Sequence, residues 1–187
     1  MFDILQEIDG KLVQYIYLHR PHAADSFLLW ATNNATTIAF AFIFILILLY
    51  VTKKRQKYLY AAVNILIIIG LGAIVSNLLK ILTGRLRPYD VYENMLLDPS
   101  IGAGGFSFPS GHTTEVFTLT VAIFILLRNP YLRWASLFWA LLIAYTRMAF
   151  GVHYPSDVLG GIIVGSLTAY LWLRWAPLKA WFKKLNA

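Results

Sequence analysis

The segment from Lys80 to Asp157 contains KILTGRLRP (residues 80–88), FPSGH (residues 108–112) and TRMAFGVHYPSD (residues 146–157), three polar sequences that each adjoin a long apolar run. Together they hold at least three cations, two of the four histidines, a serine hydroxyl and a carboxylate. Ionisable groups are costly to place near lipid and usually serve a function where they occur there. The segment therefore indicates a site in which these groups act together.

The composition predicts an all-α, polytopic membrane helical bundle. Of 187 residues, 59% are hydrophobic and 13% are charged, whereas ordinary soluble domains carry about 25% charged residues. A soluble core of this size has no room for so much apolar surface, and one domain over residues 1–187 fits the length. About five transmembrane helices, five to six, are predicted, since crossing a bilayer takes roughly 20 residues. The runs are 27–51, 58–79, 113–127, 134–150 and 158–175. Cysteine is absent, which excludes disulfide and thiolate chemistry.

Residues 1–24 are predicted to form an interfacial amphipathic helix rather than a span, ended by Pro21. Apolar residues recur at helical spacing with charged residues between them. The apolar residues are Phe2, Leu5, Ile8, Leu12, Tyr15 and Ile16, and the charged ones are Asp3, Glu7, Asp9 and Lys11. An ordinary surface helix packed on the bundle is the alternative, and the two are compatible. The bundle proper is predicted over residues 27–175.

The charged residues divide between two sides of the predicted bundle. Two turns and the C-terminal segment are basic and contain no acidic residue: Lys53, Lys54, Arg55, Lys57, Arg128, Arg133, Arg174, Lys179, Lys183 and Lys184. All nine acidic residues fall on the other side, with the three polar sequences. The positive-inside rule therefore predicts a cytoplasmic C-terminus and places the polar sequences outside. The same division explains the net charge of +7 without nucleic acid.

Three cations lie on the side that normally lacks them. Lys80, Arg87 and Arg147 have no topological reason to be there, which favours an anionic ligand. The guanidinium fork matches phosphate oxygens, and the ammonium group supplies a point charge. Pairing with Asp90, Glu93 or phospholipid headgroups is the alternative.

A helix N-terminus is predicted at the FPSGH sequence. Ser110 is placed to cap the helix, and Gly111 lets an anion approach the backbone. The free N–H groups and partial positive charge of such a terminus form an anion site. A merely well-capped helix is the alternative. His112 begins the same helix.

His153 and Asp157 are four residues apart and share a face if the segment is helical. Pro155 fits the first turn of that helix. A carboxylate bonded to one imidazole nitrogen fixes the tautomer and leaves the other nitrogen as a nucleophile or base. A structural histidine is the alternative. The pair offers too few ligands for zinc, so no metal site is predicted.

In order and spacing the three sequences resemble the signatures of the type-2 phosphatidic acid phosphatase superfamily, the lipid phosphate phosphatases, in its small bacterial membrane form. The matching residues are Lys80-x6-Arg87-Pro88, Pro109-Ser110-Gly111-His112 and Arg147-x5-His153-x3-Asp157. The third signature usually has Ser where this chain has Thr146, which keeps a hydroxyl. Arg85 lies outside the pattern and is assigned a headgroup contact.

The resemblance implies a role for each of these positions. His153 would attack phosphorus to give a phosphohistidine, Asp157 would orient and polarise it, and His112 would act as general acid and then general base. The phosphate-binding residues would be Lys80, Arg87, Ser110, Gly111 and Arg147. The active-site loops would be residues 80–112 and 147–157, and no cofactor or divalent metal would be needed.

The implied activity is hydrolysis of a phosphomonoester or diphosphate headgroup of a lipid within the bilayer. Candidate substrates are phosphatidate, phosphatidylglycerophosphate, undecaprenyl diphosphate and the lipid A class. The implied location is the inner membrane, with the site on the periplasmic or extracytoplasmic side. A lipid phosphotransferase using the same site and a non-enzymatic anion or lipid transporter are the alternatives, and five spans disfavour a haloperoxidase.

Overall fold

The computed structural model describes residues 2–53, 56–95, 101 and 103–175. Every regular element in these ranges is helical. The helices are α1 (Phe2–Leu18), a 3-10 turn (His22–Ala24), α2 (Asp25–Asn33), α3 (Ala35–Lys53), α4 (Gln56–Thr83), α5 (Pro88–Val91), α6 (Gly111–Leu126), α7 (Pro130–Ala149) and α8 (Pro155–Trp175). The predicted all-α fold is confirmed.

The helices that begin at Gln56 and Pro155 are, within the described ranges, the two that are long and apolar enough to cross a membrane, and α6 is a shorter apolar helix. The four predicted spans after residue 57 each correspond to one helix, namely α4, α6, α7 and α8. The total number of spans and the single domain over residues 1–187 stay predictions. Part of the predicted orientation rests on Lys54, Arg55 and Lys179–Lys184, which lie outside the described residues.

The span predicted over residues 27–51 is divided between two helices. The sequence leaves its start open to a later residue, because polar residues such as Asn33 and Asn34 weaken it. Helix α2 ends at Asn33 and α3 begins at Ala35, with Asn34 between them at φ −102° and ψ 4°. The Trp30 carbonyl accepts both the Asn34 side-chain amide at 2.9 Å and the Asn34 backbone N–H at 3.1 Å.

The prediction of a turn from Arg128 to Arg133 is also wrong in part. Helix α7 already begins at Pro130, where the missing N–H of proline leaves no helical hydrogen bond unmade. The Asn129 side chain accepts a hydrogen bond from the Leu132 N–H at 3.2 Å and caps the helix.

Helices α6 and α8 approach each other closely enough for their backbones to touch. A Cβ atom added to Gly165 would lie 2.3 Å from the Thr114 carbonyl oxygen, and one added to Gly161 would lie 2.7 Å from the Ser110 carbonyl oxygen. The Gly-x-x-x-Gly pair of Gly161 and Gly165 is what permits this close packing. It brings together the N-termini of the two helices, where the Ser110 N–H donates to the Asp157 carbonyl at 3.0 Å.

The three polar sequences meet at one end of the bundle. Lys80 and Arg147 lie in the last turns of α4 and α7, and His112 and Asp157 lie in the first turns of α6 and α8. The described basic residues that set the predicted orientation lie at or beyond the opposite ends of these helices: Lys53, Lys57, Arg128, Arg133 and Arg174.

Helix α1 packs on this end of the bundle through one face. Val13 and Asp9 are buried in that face. Three of its predicted apolar residues are exposed: Ile8, Leu12 and Tyr15. The helix ends at Leu18 rather than at Pro21. The amphipathic pattern placed Asp9 among the charged residues on the polar side of the helix, whereas the structure buries it. That prediction is wrong.

Candidate active site

His153 lies in the buried turn between α7 and α8, with 2% of its surface exposed. Its backbone N–H donates to the Arg147 carbonyl at 3.1 Å. Nη1 of Arg87 lies 3.3 Å from Nε2, and Oγ of Ser107 lies 3.4 Å from Nδ1. Because arginine can only donate, Nε2 accepts and the proton is assigned to Nδ1. Nε2 therefore carries the lone pair that a nucleophile needs.

His153 is neutral in the resting site. Burial lowers the pKa of the imidazole to about 3; Asp157 opposes this shift, whereas the positive charges of Arg87 and Arg147 add to it. At any pH well above that value, the imidazole has no proton on Nε2. A neutral, desolvated imidazole is the nucleophilic form of histidine.

Asp157 is completely buried in the first turn of α8. Its Oδ2 lies 3.6 Å from Nδ1 of His153, which is beyond hydrogen-bond range. The Ser107 hydroxyl fills the gap and donates to Oδ2 at 2.5 Å. The Tyr154 N–H also donates to Oδ2 at 2.8 Å, and Nη1 of Arg85 donates to Oδ1 at 2.6 Å.

Ser107 therefore connects Nδ1–H of His153 to the Asp157 carboxylate. It lies just before FPSGH, and no periodicity or charge pattern in the sequence distinguished it. Its partners are 46 and 50 residues away along the chain. We expect Ser107 to be a positioning residue that keeps His153 in the tautomer whose Nε2 carries no proton.

Removal of this hydroxyl should slow phosphate release without weakening substrate binding. Ser107→Ala should lower kcat about tenfold with KM nearly unchanged, because a hydrogen bond to a charged group is lost. Steady-state phosphate release on a lipid phosphate measures both constants. Ser136→Ala is the matched control, since that hydroxyl donates to the Arg133 carbonyl at the other end of α7. A higher KM at unchanged kcat would contradict the positioning role.

His112 and Lys80 face each other across a cavity of about 290 Å³ between α4 and α6. Nζ of Lys80 donates to the Phe106 carbonyl at 2.8 Å. Gly111 also lines the cavity, and a Cβ atom placed on it would meet nothing within 4 Å. The backbone here has room for a ligand, and the predicted approach of an anion at Gly111 stays a prediction.

Ser110 occupies the N-cap position of α6, but its side chain does not cap the helix. Its Oγ instead accepts a hydrogen bond from Oγ1 of Thr113 at 2.9 Å. The predicted capping interaction is therefore wrong for the side chain, although Ser110 does occupy the N-cap position. The predicted contact between Ser110 and phosphate stays a prediction.

Arg147 is a buried cation with few partners, and 2% of its surface is exposed. Its Nη1 donates to Oγ1 of Thr32 at 2.6 Å, which is how α2 reaches the site. Nε of Arg147 has no hydrogen-bond partner among the described residues. Guanidinium donors left unused in a buried site are suited to an anionic oxygen.

Arg87 differs from Arg147 because its donors are all engaged. Nε donates to the Gly105 carbonyl at 3.0 Å, Nη2 donates to the Gly104 carbonyl at 2.8 Å, and Nη1 donates to the Val152 carbonyl at 3.0 Å. A phosphate bound by Arg87 would replace one of these partners or the His153 contact. The simplest exchange is at Nη1, which would uncover Nε2 of His153.

Lys80, Arg87 and Arg147 form no ion pair with any carboxylate in the described ranges. Asp90 accepts a hydrogen bond from the Arg87 backbone N–H at 3.4 Å, but it forms no ion pair with the guanidinium. The positive charges of all three act on His112, and those of Arg87 and Arg147 act on His153. Unbalanced positive charge around two histidines is the environment that a phosphate dianion would neutralise.

Arg85 does have carboxylate partners, and its predicted headgroup contact stays a prediction. It donates to Asp157 at 2.6 Å and to Asp9 at 2.5 Å. Its guanidinium lies over the Tyr154 ring, 3.9 Å from the centroid.

The described residues contain no group of three or more His, Cys, Asp or Glu side chains placed to hold a metal ion. The metal-independent mechanism stays a prediction.

Comparison with known proteins gives three related results. Residues 61–181 match the PAP2 superfamily, which is more than half of the chain. The lipid A 4'-phosphatase of Bacteroides thetaiotaomicron is 38% identical over 104 residues, covering 51% of this chain and 44% of that protein. The undecaprenyl-diphosphatase BcrC of Bacillus subtilis is 32% identical over 107 residues, covering 57% of this chain and 53% of that protein.

A similar fold occurs in a solved structure, the transmembrane PAP2 type phosphatidylglycerolphosphate phosphatase from Bacillus subtilis. The TM-score is 0.73 at 22% identity, covering 97% of this chain and 87% of that one. At this identity the likeness concerns the fold. The chain spans about half the length of the curated relatives that it matches.

Proposed function

Since the chain belongs to the PAP2 superfamily, we propose that it is a membrane-bound lipid phosphatase that hydrolyses a phosphomonoester or diphosphate headgroup through a phosphohistidine intermediate. The observation that carries this proposal is the buried His153, whose Nε2 accepts a hydrogen bond from Arg87 near a second buried guanidinium, that of Arg147. The positive charge at this site favours binding of an anion, and the unprotonated Nε2 of His153 is a nucleophile that reacts with an electrophile. A phosphate ester supplies both.

The proposed reaction has two steps. Nε2 of His153 attacks phosphorus while Lys80, Arg87 and Arg147 bind the equatorial oxygens. Burial and the charges of these cations lower the pKa of His112 to about 3. His112 therefore takes up a proton as the bound phosphate dianion offsets that positive charge, and it gives this proton to the leaving oxygen. In the second step His112 removes a proton from water, the hydroxide attacks the phosphohistidine, and inorganic phosphate leaves. The imidazolium formed in the first step is stabilised by Asp157 through the Ser107 hydroxyl.

The cavity at His112 supports a lipid as the leaving group. Its wall is polar at Lys80 and His112 and apolar at Ile69 and Ala73. Ser76 also lines it, and its buried hydroxyl has no hydrogen-bond partner among the described residues. A headgroup would lie at the polar end, with the first carbons of the lipid against the apolar wall.

The relatives support the substrate class. Their names concern lipid A and undecaprenyl diphosphate, one a sugar phosphomonoester and the other a diphosphate. We place the protein in the cell membrane with the site on the extracytoplasmic side. The basic residues at the opposite helix ends favour that orientation.

Phosphate release from purified protein tests the function. Phosphatidate, phosphatidylglycerophosphate, undecaprenyl diphosphate and lipid A are each supplied in detergent with no alcohol acceptor, and released phosphate is measured. We expect release from at least one lipid, retained in EDTA and lost with vanadate, because the proposed site uses histidine and cations in place of a metal. Loss in EDTA would overturn the metal-independent mechanism. Transfer only when an alcohol acceptor is added would favour the phosphotransferase.

A further inference from the structure

Asp9 of α1 is a buried carboxylate at the edge of the proposed site, with 7% of its surface exposed. It accepts a hydrogen bond from Nη2 of Arg85 at 2.5 Å and one from the Ser156 N–H at 3.0 Å. The Ser156 hydroxyl also donates to it. All these partners come from segments more than seventy residues away along the chain.

Arg85 joins Asp9 to Asp157. Nη2 binds Asp9, Nη1 binds Asp157 at 2.6 Å, and Nη1 also donates to the Ser156 hydroxyl at 2.6 Å. Stacking on the Tyr154 ring fixes the guanidinium plane. One cation therefore lies between two buried carboxylates, so the group as a whole carries one net negative charge.

That net charge matters when His153 reacts. Attack by Nε2 turns the neutral imidazole into a cation, in surroundings that already contain the positive charges of Arg87 and Arg147. If Arg85 neutralised Asp157 alone, no negative charge would be left for the new imidazolium. Because Asp9 shares Arg85, Asp157 keeps part of its charge for His153.

We propose that Asp9 of the N-terminal helix is a positioning residue of the phosphatase site, which acts through Arg85 to keep Asp157 oriented and negatively charged toward His153. Asp9 lies outside residues 61–181, the segment that matches the superfamily. Helix α1 is held in place nearby, since a Cβ atom on Gly10 would lie 1.9 Å from the Tyr92 hydroxyl oxygen. The helix would thus complete the site as well as cover it.

The test compares Asp9→Asn with Glu7→Gln in the purified full chain, with phosphate release from dioctanoyl phosphatidate and the lipids named above as the assay. Glu7 lies on the same helix and pairs with Lys11 in an exposed contact, so it controls for loss of one carboxylate from α1. Asp9→Asn should lower kcat roughly ten- to a hundredfold with little change in KM. Glu7→Gln should behave as the wild type.

A double-mutant cycle distinguishes an effect of Asp9 on Asp157 through Arg85 from a purely structural role in holding α1 on the bundle. In an Arg85→Gln background the further change Asp9→Asn should lower kcat less than about threefold, because the connection to Asp157 is already broken. A lower midpoint of thermal unfolding at unchanged kcat would show that Asp9 only docks α1 and would overturn the proposal. Additive losses in the cycle would overturn it too.

The proposal rests on the proposed function, and vanadate tests it separately. Vanadate accepts a bond from the histidine nucleophile, so its stabilisation of the fold reports the site without turnover. Asp9→Asn should raise the apparent vanadate dissociation constant about tenfold. If the wild type binds vanadate but releases phosphate from no lipid, the lipid phosphatase function fails while this comparison still decides the role of Asp9. Equal vanadate binding by variant and wild type would contradict it.

Discussion

Replacement of His153 by glutamine should abolish phosphate release. We expect a fall in kcat of about a thousandfold or more, since removal of a nucleophile leaves only the contributions of binding and charge stabilisation. Glutamine retains a polar group of similar length beside Arg87 and Ser107, so the fold should persist. His19→Gln is the matched control, because His19 is exposed, contacts the Tyr15 carbonyl and stacks on the Tyr15 ring.

Trapping of the intermediate distinguishes the two histidines. With a radiolabelled aryl phosphate, which has a good leaving group, wild type should yield an acid-labile, alkali-stable phosphoenzyme and His153→Gln should yield none. His112→Gln should still become phosphorylated, because a phenolate needs little protonation, but its phosphoenzyme should persist since no base activates water. A phosphoenzyme in His153→Gln would move the nucleophile to another residue.

The sequence predicted the parts of the site that depend on local spacing. His112 follows Ser110 in the first turn of α6, and Asp157 lies in the first turn of α8 with His153 in the turn just before it. Neighbouring residues in the sequence are therefore sufficient to bring each pair together. The apolar runs predicted four helices to within a few residues. These predictions share one basis: helix periodicity and helix termini are determined by residues that are neighbours in the sequence.

The contacts that the sequence did not predict are between distant segments. Ser107, Arg85 and Asp9 join segments as far apart as residues 9 and 156, and nothing in a single sequence reports such pairing. Asp9 was grouped with the polar face of an amphipathic helix because charge on a helix is usually solvated. Its burial depends on a partner, Arg85, whose own side chain was assigned to lipid headgroups.

Local side-chain chemistry explains the remaining differences. Asn34 lies between α2 and α3, and both its side-chain amide and its backbone N–H donate to the Trp30 carbonyl. The Ser110 hydroxyl accepts a hydrogen bond from Thr113 and does not cap α6. Such side-chain hydrogen bonds depend on local geometry that hydropathy does not report.

Arg147→Met should lower the rate of phosphate release without lowering the thermal stability of the protein. We expect phosphate release to fall on the order of 10²–10³-fold, because a donor to the equatorial oxygens is lost. The thermal midpoint should stay equal to or rise above that of the wild type. The resting protein buries this guanidinium against one neutral hydroxyl, with Nε unsatisfied in the described residues. A buried cation with so few partners destabilises the fold, and an apolar side chain of similar length removes that penalty.

Vanadate provides the complementary measurement for Arg147. It should raise the thermal midpoint of the wild type by binding to Arg147 as an anion, and it should leave the midpoint of Arg147→Met unchanged. Arg133→Met is the matched control on the same helix, since Arg133 bonds the Phe124 and Leu127 carbonyls at the far end. That variant should keep both activity and the vanadate response. A midpoint well below wild type in Arg147→Met would instead assign Arg147 a structural role, and phosphate release within about tenfold of wild type would remove it from the site. The burial of the Arg147 guanidinium should therefore lower the stability of the protein without an anion and increase its affinity for phosphate.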